Sequence, residues 1–312
     1  MRDTRLDTAA ARCDEASRHG GAGRSGWFGD VLVGVDGSPT GRDAIALGEA
    51  LRDPSGRLTL AHVLLSQAPS YRNFHATPAW ANSRRMLERE SEASGIAAEL
   101  TGMASASVGG GLHQLADDCG ADLLVVGSCS RGSVGRLLRG DDTRGSLSGA
   151  GCAVAIAPHG YAERSREIKT IGVAYNDTPE SEAALAAARS LAARLRASVQ
   201  ALTVVSLAAA GPGAWGALDV GWGGGIEVIE QAARDRLRSL DGVDGRVAFG
   251  PPGDELVAFG DEVDLLVVGS RSFGPLRRLI LGSTSMHLAR DVRSPLLVVP
   301  RPAVVSDSRD AS

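Results

Sequence analysis

Residues Val263–Ser285 read VDLLVVGSRSFGPLRRLILGSTS. The stretch opens on an apolar run, Val263–Val268, broken only by Asp264. Such a run is far shorter than the roughly 20 apolar residues of a membrane helix. It suits a strand buried on both faces of a parallel sheet. Gly269 closes the strand, a loop carrying Gly274 and Pro275 follows, and a second small-residue cluster stands at Gly282-Ser283-Thr284-Ser285. Beyond it, Met286, Ala289 and Val292 have the spacing of one helical face. A glycine-rich turn after a strand, with hydroxyl residues at a helix start, presents bare backbone N–H groups and the positive end of a dipole. That combination favours a phosphate. A glycine turn serves equally well simply to redirect the chain.

The stretch occurs twice. Ala121–Ser128, ADLLVVGS, matches Val263–Ser270, VDLLVVGS, at seven of eight positions with an offset of 142 residues. In a chain of 312 residues this repeat predicts two domains, each large enough for its own core. The expected division is a disordered tail over 1–29, a first domain over 30–158, a polar linker at 159–166, a second domain over 167–301 and a tail over 302–312.

In the first half, strands are expected at 30–35, 58–65, 96–100, 123–126 and 153–157, with helices at 80–94 and 108–119. Another helix starts at Ser38-Pro39, where serine can cap and proline can occupy the first turn. A loop is expected over 66–79. The second half repeats the plan, with strands at 168–174, 199–206, 246–249, 263–268 and 295–299. Its helices are a Thr178-Pro179 helix with Ala184, Ala188, Leu191 and Leu195 on one face, one at 226–240 and a short one at 253–260. A glycine-rich loop with Trp215 and Trp222 lies between. Alternating strand and helix gives α/β doubly wound domains, each a five-stranded parallel sheet of order 3-2-1-4-5 with helices on both faces. Ligands of such sheets sit at the carboxyl ends of the strands where the winding reverses. Strands one and four end at Asp36 and Gly127 in the first half, and at Asn176 and Gly269 in the second.

Composition narrows the function. The formal charge is −4 and the pI about 5.9, so no basic field draws in nucleic acid or an anionic membrane. Cys13, Cys119, Cys129 and Cys152 form no CxxC pair, which fits a reduced cytoplasmic compartment. The six histidines show no HxxxH or HExxH spacing, so no metal site is expected. No nucleophile–base pair can be assigned from spacing, so no catalytic residue is named and an enzyme is the weaker expectation.

DVLVGVDGSP at Asp30–Pro39, the two DLLVVGS strands and LILGSTS at Leu279–Ser285 together resemble a tandem universal stress protein of two UspA domains. The resemblance spans roughly Asp30–Arg301. It implies a Rossmann-like, adenine-nucleotide-α-hydrolase-like fold in each half and a stress-response or signalling role. It also implies ATP or another adenine nucleotide, with or without Mg, and an unidentified protein partner. The family's glycine motif, G-x2-G-x9-G-[S/T], is matched by Gly269, Gly282 and Ser283, with Ser272 at the second glycine and Gly274 near it. Carried over by position, the second half offers Asn176, Val204, Gly269, Ser272, Gly274, Gly282, Ser283 and Thr284. The first half offers Asp36, Val63, Gly127 and Gly140. The family commonly pairs its final strands, so 153–157 and 295–299 are expected to form an intramolecular pseudo-dimer seam, with further homodimerisation open.

The halves depart from the motif unequally. Ser130 and Ser272 replace its second glycine, and Asn176 replaces an expected Asp. After Gly140 the first half reads Asp141-Asp142-Thr143, and carboxylates at that helix start repel a polyphosphate. Arg271, Arg277 and Arg278 lie in the second loop and can reach phosphate oxygens. The nucleotide is therefore expected mainly in the second half. The competing reading is a scaffold that binds no nucleotide and acts through association. An ATP-pyrophosphatase or adenylating ligase would carry an SGGxDS-type loop after strand one, where this chain reads VDGSPTG and YNDTPES.

Overall fold

The computed structural model describes residues 28–66, 71–128, 149–164, 167–206, 224–270, 279 and 282–300, with 71–73 and 224–226 by backbone alone. Residues 129–148 and 207–223, which hold most of the expected loops at 127–140 and 208–225, and both tails beyond 28–300 lie outside these residues.

The strands form one ten-stranded sheet of order β3-β2-β1-β4-β5-β10-β9-β6-β7-β8. In the first half these are β1 (Phe28–Gly34), β2 (Arg52–Leu65), β3 (Glu99–Ser105), β4 (Leu123–Gly127) and β5 (Ala153–Ala157). In the second they are β6 (Thr170–Ala174), β7 (Ser198–Val205), β8 (Val243–Phe249), β9 (Leu265–Gly269) and β10 (Leu296–Val299). Every pairing is parallel except that of β5 with β10, where Leu296, Leu297 and Val298 face Ile156, Ala155 and Val154. The two halves thus meet antiparallel across their equivalent last strands. Two apolar edges that would otherwise invite aggregation are removed.

The helices are α1 (Pro39–Leu51), α2 (Pro78–Ser94), α3 (Val108–Cys119), α4 (Tyr161–Arg164), α5 (Pro179–Leu195), α6 (Gly224–Arg238), α7 (Pro252–Gly260) and α8 (Ser283–Asp291). The core has two layers, one on each face of the sheet. One gathers Ala44, Leu47 and Leu51 of α1, Leu87 of α2 and Ala184, Ala188 and Leu191 of α5. The other gathers Leu112 and Leu115 of α3, Leu256 and Phe259 of α7 and Leu288 of α8. Both layers run across the seam. Burial of such side chains stabilises by about 1.5–3 kcal/mol each, so the seam is continuous core.

Several boundaries differ from those read in the sequence. The first strand starts at Phe28, inside the expected tail, because the Asp122 carboxylate accepts from Gly29 N at 2.8 Å and Asp30 N at 3.2 Å. The third strand runs Glu99–Ser105 and not 96–100. Left-handed Gly95 caps α2, and the register against β2 then sets Thr59 opposite Glu99 and Leu65 opposite Ser105. Position 102 of that strand takes glycine because a β-carbon there would lie 2.6 Å from the Trp80 ring. The third strand of the second half likewise begins at Val243, earlier than 246. Thr77-Pro78 starts α2 with the same cap and proline that start α1 and α5, and a 3-10 helix, Tyr71–Ala76, occupies part of the expected loop. The expected linker contains α4, whose approach is held by buried Asp43 of α1: its carboxylate accepts from Gly160 N at 2.9 Å and Ala162 N at 2.8 Å.

Candidate functional site

Each half has a crevice where β1 and β4, or β6 and β9, end side by side. The polar residue after strand one is tied into its own turn in both. The Asp36 Oδ1 atom accepts from Ser38 N at 3.0 Å and Ser38 Oγ at 2.5 Å, and Ser38 Oγ accepts from Gly41 N at 3.3 Å, capping α1. The Asn176 Oδ1 atom accepts from Thr178 Oγ1 at 2.8 Å, and Thr178 shares a capping box with Ser181. The turn needs a left-handed residue. Gly37 supplies it at φ 76° in the first half, and Asp177 adopts φ 58° in the second, at a cost of about 1 kcal/mol.

Gly127 and Gly269 close strand four against the first turn of the neighbouring helix. A β-carbon at Gly127 would stand 2.2 Å from the Thr40 carbonyl oxygen, and one at Gly269 would stand 2.3 Å from that of Glu180. Backbone approach alone therefore demands both glycines. Val63 and Val204 fall within the last three residues of β2 and β7. Val35 N donates to Ala61 O, and Tyr175 N to Leu202 O, which fixes the side of the strand those carbonyls face. Peptide groups of a strand alternate sides, so those of Val63 and Val204, two residues on, face the crevice beyond the ends of β1 and β6.

The N-terminus of α8 is built differently from those of α1 and α5. Gly282 is its N-cap, at φ −71° and ψ 172°, and among the described residues no side chain caps the helix. Ser283 is exposed, Thr284 half-buried and Ser285 buried. The first N–H groups of a nine-residue helix are thus presented with the positive end of its dipole. Gly274, Ser272 and Gly140 lie outside the described residues, as do Arg271, Arg277, Arg278, Asp141 and Asp142. Asn176, Val204 and Gly269 are brought together at the second crevice, and Asp36, Val63 and Gly127 at the first.

Further groups at the crevices were not read from the sequence. Tyr175 fills the position of Val35, and its hydroxyl donates to Glu182. Burial, together with that carboxylate, pushes the phenol pKa up. His62 Nδ1 contacts Val35 O at 2.8 Å, and Thr203 Oγ1 donates to Tyr175 O at 2.8 Å, so a polar residue 141 positions apart serves the same carbonyl in each half. That recurrence of a polar residue inside an apolar strand was available as a signal. Ser270, directly after β9, is 1 % exposed, and its hydroxyl has no partner among the described residues. Leu279, between β9 and α8, pairs by backbone with the other half: Gly149 N donates to Leu279 O at 2.8 Å, and Leu279 N to Ala150 O at 2.9 Å. No local pattern announces that contact.

The sequence model of the universal stress protein family matches the chain twice, over residues 28–158 and 167–300. The chain belongs to the universal stress protein family. A universal stress protein from Archaeoglobus fulgidus DSM 4304 is similar at 18 % identity and a TM-score of 0.60, over 88 % of this chain and 99 % of that one. A functionally unknown protein from Pseudomonas aeruginosa PAO1 is similar at 16 % identity and a TM-score of 0.59, over 88 % and 93 %. At these identities the likeness shows the fold, two universal stress protein units in one chain. A universal stress protein solved in complex with cAMP is 27 % identical over 36 % of this chain and 84 % of that one, with a TM-score of 0.27. Among the described residues no helix of this universal stress protein is long and apolar enough to cross a membrane.

Proposed function

We propose that this universal stress protein is an adenine-nucleotide-binding stress-response or signalling module whose site lies mainly in the second domain, with ATP the nucleotide its glycine pattern favours. The observation that carries the reading is the start of α8. Gly282 leaves the first N–H groups without a side-chain cap, whereas Ser38 and Thr178 cap α1 and α5 themselves. An anion is the natural complement of such a terminus. The Val204 peptide supplies a donor and an acceptor for a base, and Ser283 and Thr284 add hydroxyls beside the open turn. In the first domain, Asp36 and Val63 are the counterpart residues for an adenosine, while the sequence has Asp141-Asp142, with their negative charge, where the second domain has Ser283-Thr284.

Isothermal titration with ATP, in the presence of Mg2+, and with adenosine tests the reading. One ATP per chain is expected. Gly282→Asp abolishes it, and Asp141→Ser with Asp142→Thr creates a second ATP site. ATP binding by Gly282→Asp at the parent's affinity would refute the second-domain site.

The scaffold reading has its own support. Asp36 and Asn176 are engaged in their own turns, and Gly127 and Gly269 are explained by helix approach. An absence of heat with ATP, AMP and adenosine alike would leave the scaffold.

A further inference from the structure

The contact between Leu279 and the first half bears on how the second crevice is held in shape. Leu279 belongs to the connection between β9 and α8, in the sequence that leads to the proposed phosphate contact at Gly282. Its backbone is fixed at both polar atoms by residues of the other half, accepting from Gly149 N at 2.8 Å and donating to Ala150 O at 2.9 Å. Leu279 and Ala150 are both 0 % exposed. Leu279 shares a core layer with Ala150, Val154 and Ile156 of the first half and with Leu288, Leu296 and Val298 of the second. Gly149 and Ala150 lead directly into β5, the strand that pairs with β10. Leu279 of one domain is therefore seated on the residues just before the other domain's seam strand.

We propose that Gly149 and Ala150 are positioning residues for the second domain's nucleotide site, so that nucleotide binding there and closure of the seam are one linked equilibrium. The inference rests on the second-domain nucleotide reading given above. Leu279 stands three residues before Gly282, the N-cap of α8. A phosphate that binds at Gly282 is best served when the chain leading into it is already fixed, and the first half provides the fixing. By reciprocity, a nucleotide that favours the seated arrangement also tightens the seam by the same factor. Domain separation would weaken the site, and occupancy would oppose domain separation. The ligand is thus given a route to the part of the molecule that determines which surfaces the two domains show to a partner.

The test is hydrogen–deuterium exchange on the full-length protein with and without ATP and Mg2+, followed by peptide mass spectrometry. Slower exchange is expected in a first-half peptide covering residues 149–157, in addition to peptides of 263–292, and Gly282→Asp should abolish both effects. The substitution Ala150→Leu, in the half that does not hold the nucleotide, overfills a fully buried position under Leu279. It should weaken ATP binding by about fivefold or more. Ala150→Gly keeps the backbone pairing, so it should leave the affinity within about twofold. Protection confined to 263–292, or ATP affinity unchanged in a folded Ala150→Leu protein, would overturn the linkage while leaving the second-domain site standing. Protection of 149–157 that survives in Gly282→Asp would overturn it too. A parent protein that binds neither ATP nor adenosine overturns the linkage together with the reading beneath it.

Discussion

One charged residue interrupts each apolar repeat, and its role is now visible. Asp122 accepts from Gly29 N and Asp30 N, and Asp264 accepts from Lys169 N, Thr170 N and Thr170 Oγ1 at 2.9 Å each. Each latches the start of strand one onto the start of strand four. The sequence shows these aspartates as blemishes in buried strands, because the N–H groups they serve lie 92 to 95 residues away. Burial beside Asp30 pushes the Asp122 carboxyl up to about 6, and the hydrogen bonds from Gly29 and Asp30 only partly offset it. A carboxyl whose folded pKa is raised favours the fold most when protonated. Its contribution is complete below about pH 4 and is lost as pH rises through about 6. Solvent screening holds the effect to about 1 kcal/mol. Urea unfolding of the parent and of Asp122→Asn from pH 4 to 7 should therefore show a stability difference that changes between pH 4 and 6 and is flat above. A difference independent of pH would refute the assignment.

Among the elements, the helix starts were the most legible. Ser38-Pro39 and Thr178-Pro179 combine a side-chain acceptor with a residue whose missing N–H costs nothing in the first turn, and both start helices where expected. Strand limits were less legible because partners set them. Glu99–Ser105 has low intrinsic strand preference, with Gly102 and Ala104 in it, and is a strand because β2 extends beside it. The same holds at the crevice. Asp36, Asn176 and the two strand-four glycines could be placed from strand ends, whereas the Leu279 pairing depends on packing against residues 149 and 150 of the other half. The linker sequence reads as a polar spacer, yet Asp43, 2 % exposed, holds its Gly160 and Ala162 amides. Asp43→Ala leaves those N–H groups without their acceptor and should cost about 1–3 kcal/mol in unfolding free energy. Asp43→Asn, which keeps one acceptor oxygen, should recover part of it. Equal stability of Asp43→Ala and parent would show that the linker is not anchored there.

At the scale of the whole molecule, the repeat legible in the sequence becomes one continuous sheet. Beyond the β5–β10 pairing, the Arg194 guanidinium of α5 donates to the carbonyls of Ala50 and Arg52 at the end of α1, so the second half also satisfies a helix terminus of the first. With both core layers crossing the seam, the two halves should unfold as one cooperative unit, and transitions followed by tryptophan fluorescence and by far-UV circular dichroism should coincide. Val298 is 0 % exposed and faces Val154, which is 1 % exposed. Val298→Asp places a carboxylate within that pairing, in the apolar core layer that holds both valines, at a cost of about 3 kcal/mol or more. Since the first half retains its five strands and the second its other four, the damage should fall on the pairing between halves, and the single transition should split into two. Val298→Ala removes contact without adding charge, and should keep one transition at a lower midpoint. If Val298→Asp melts in one transition at the parent's midpoint, the seam is not what joins the halves energetically, and the linkage between crevice and seam loses its physical basis as well.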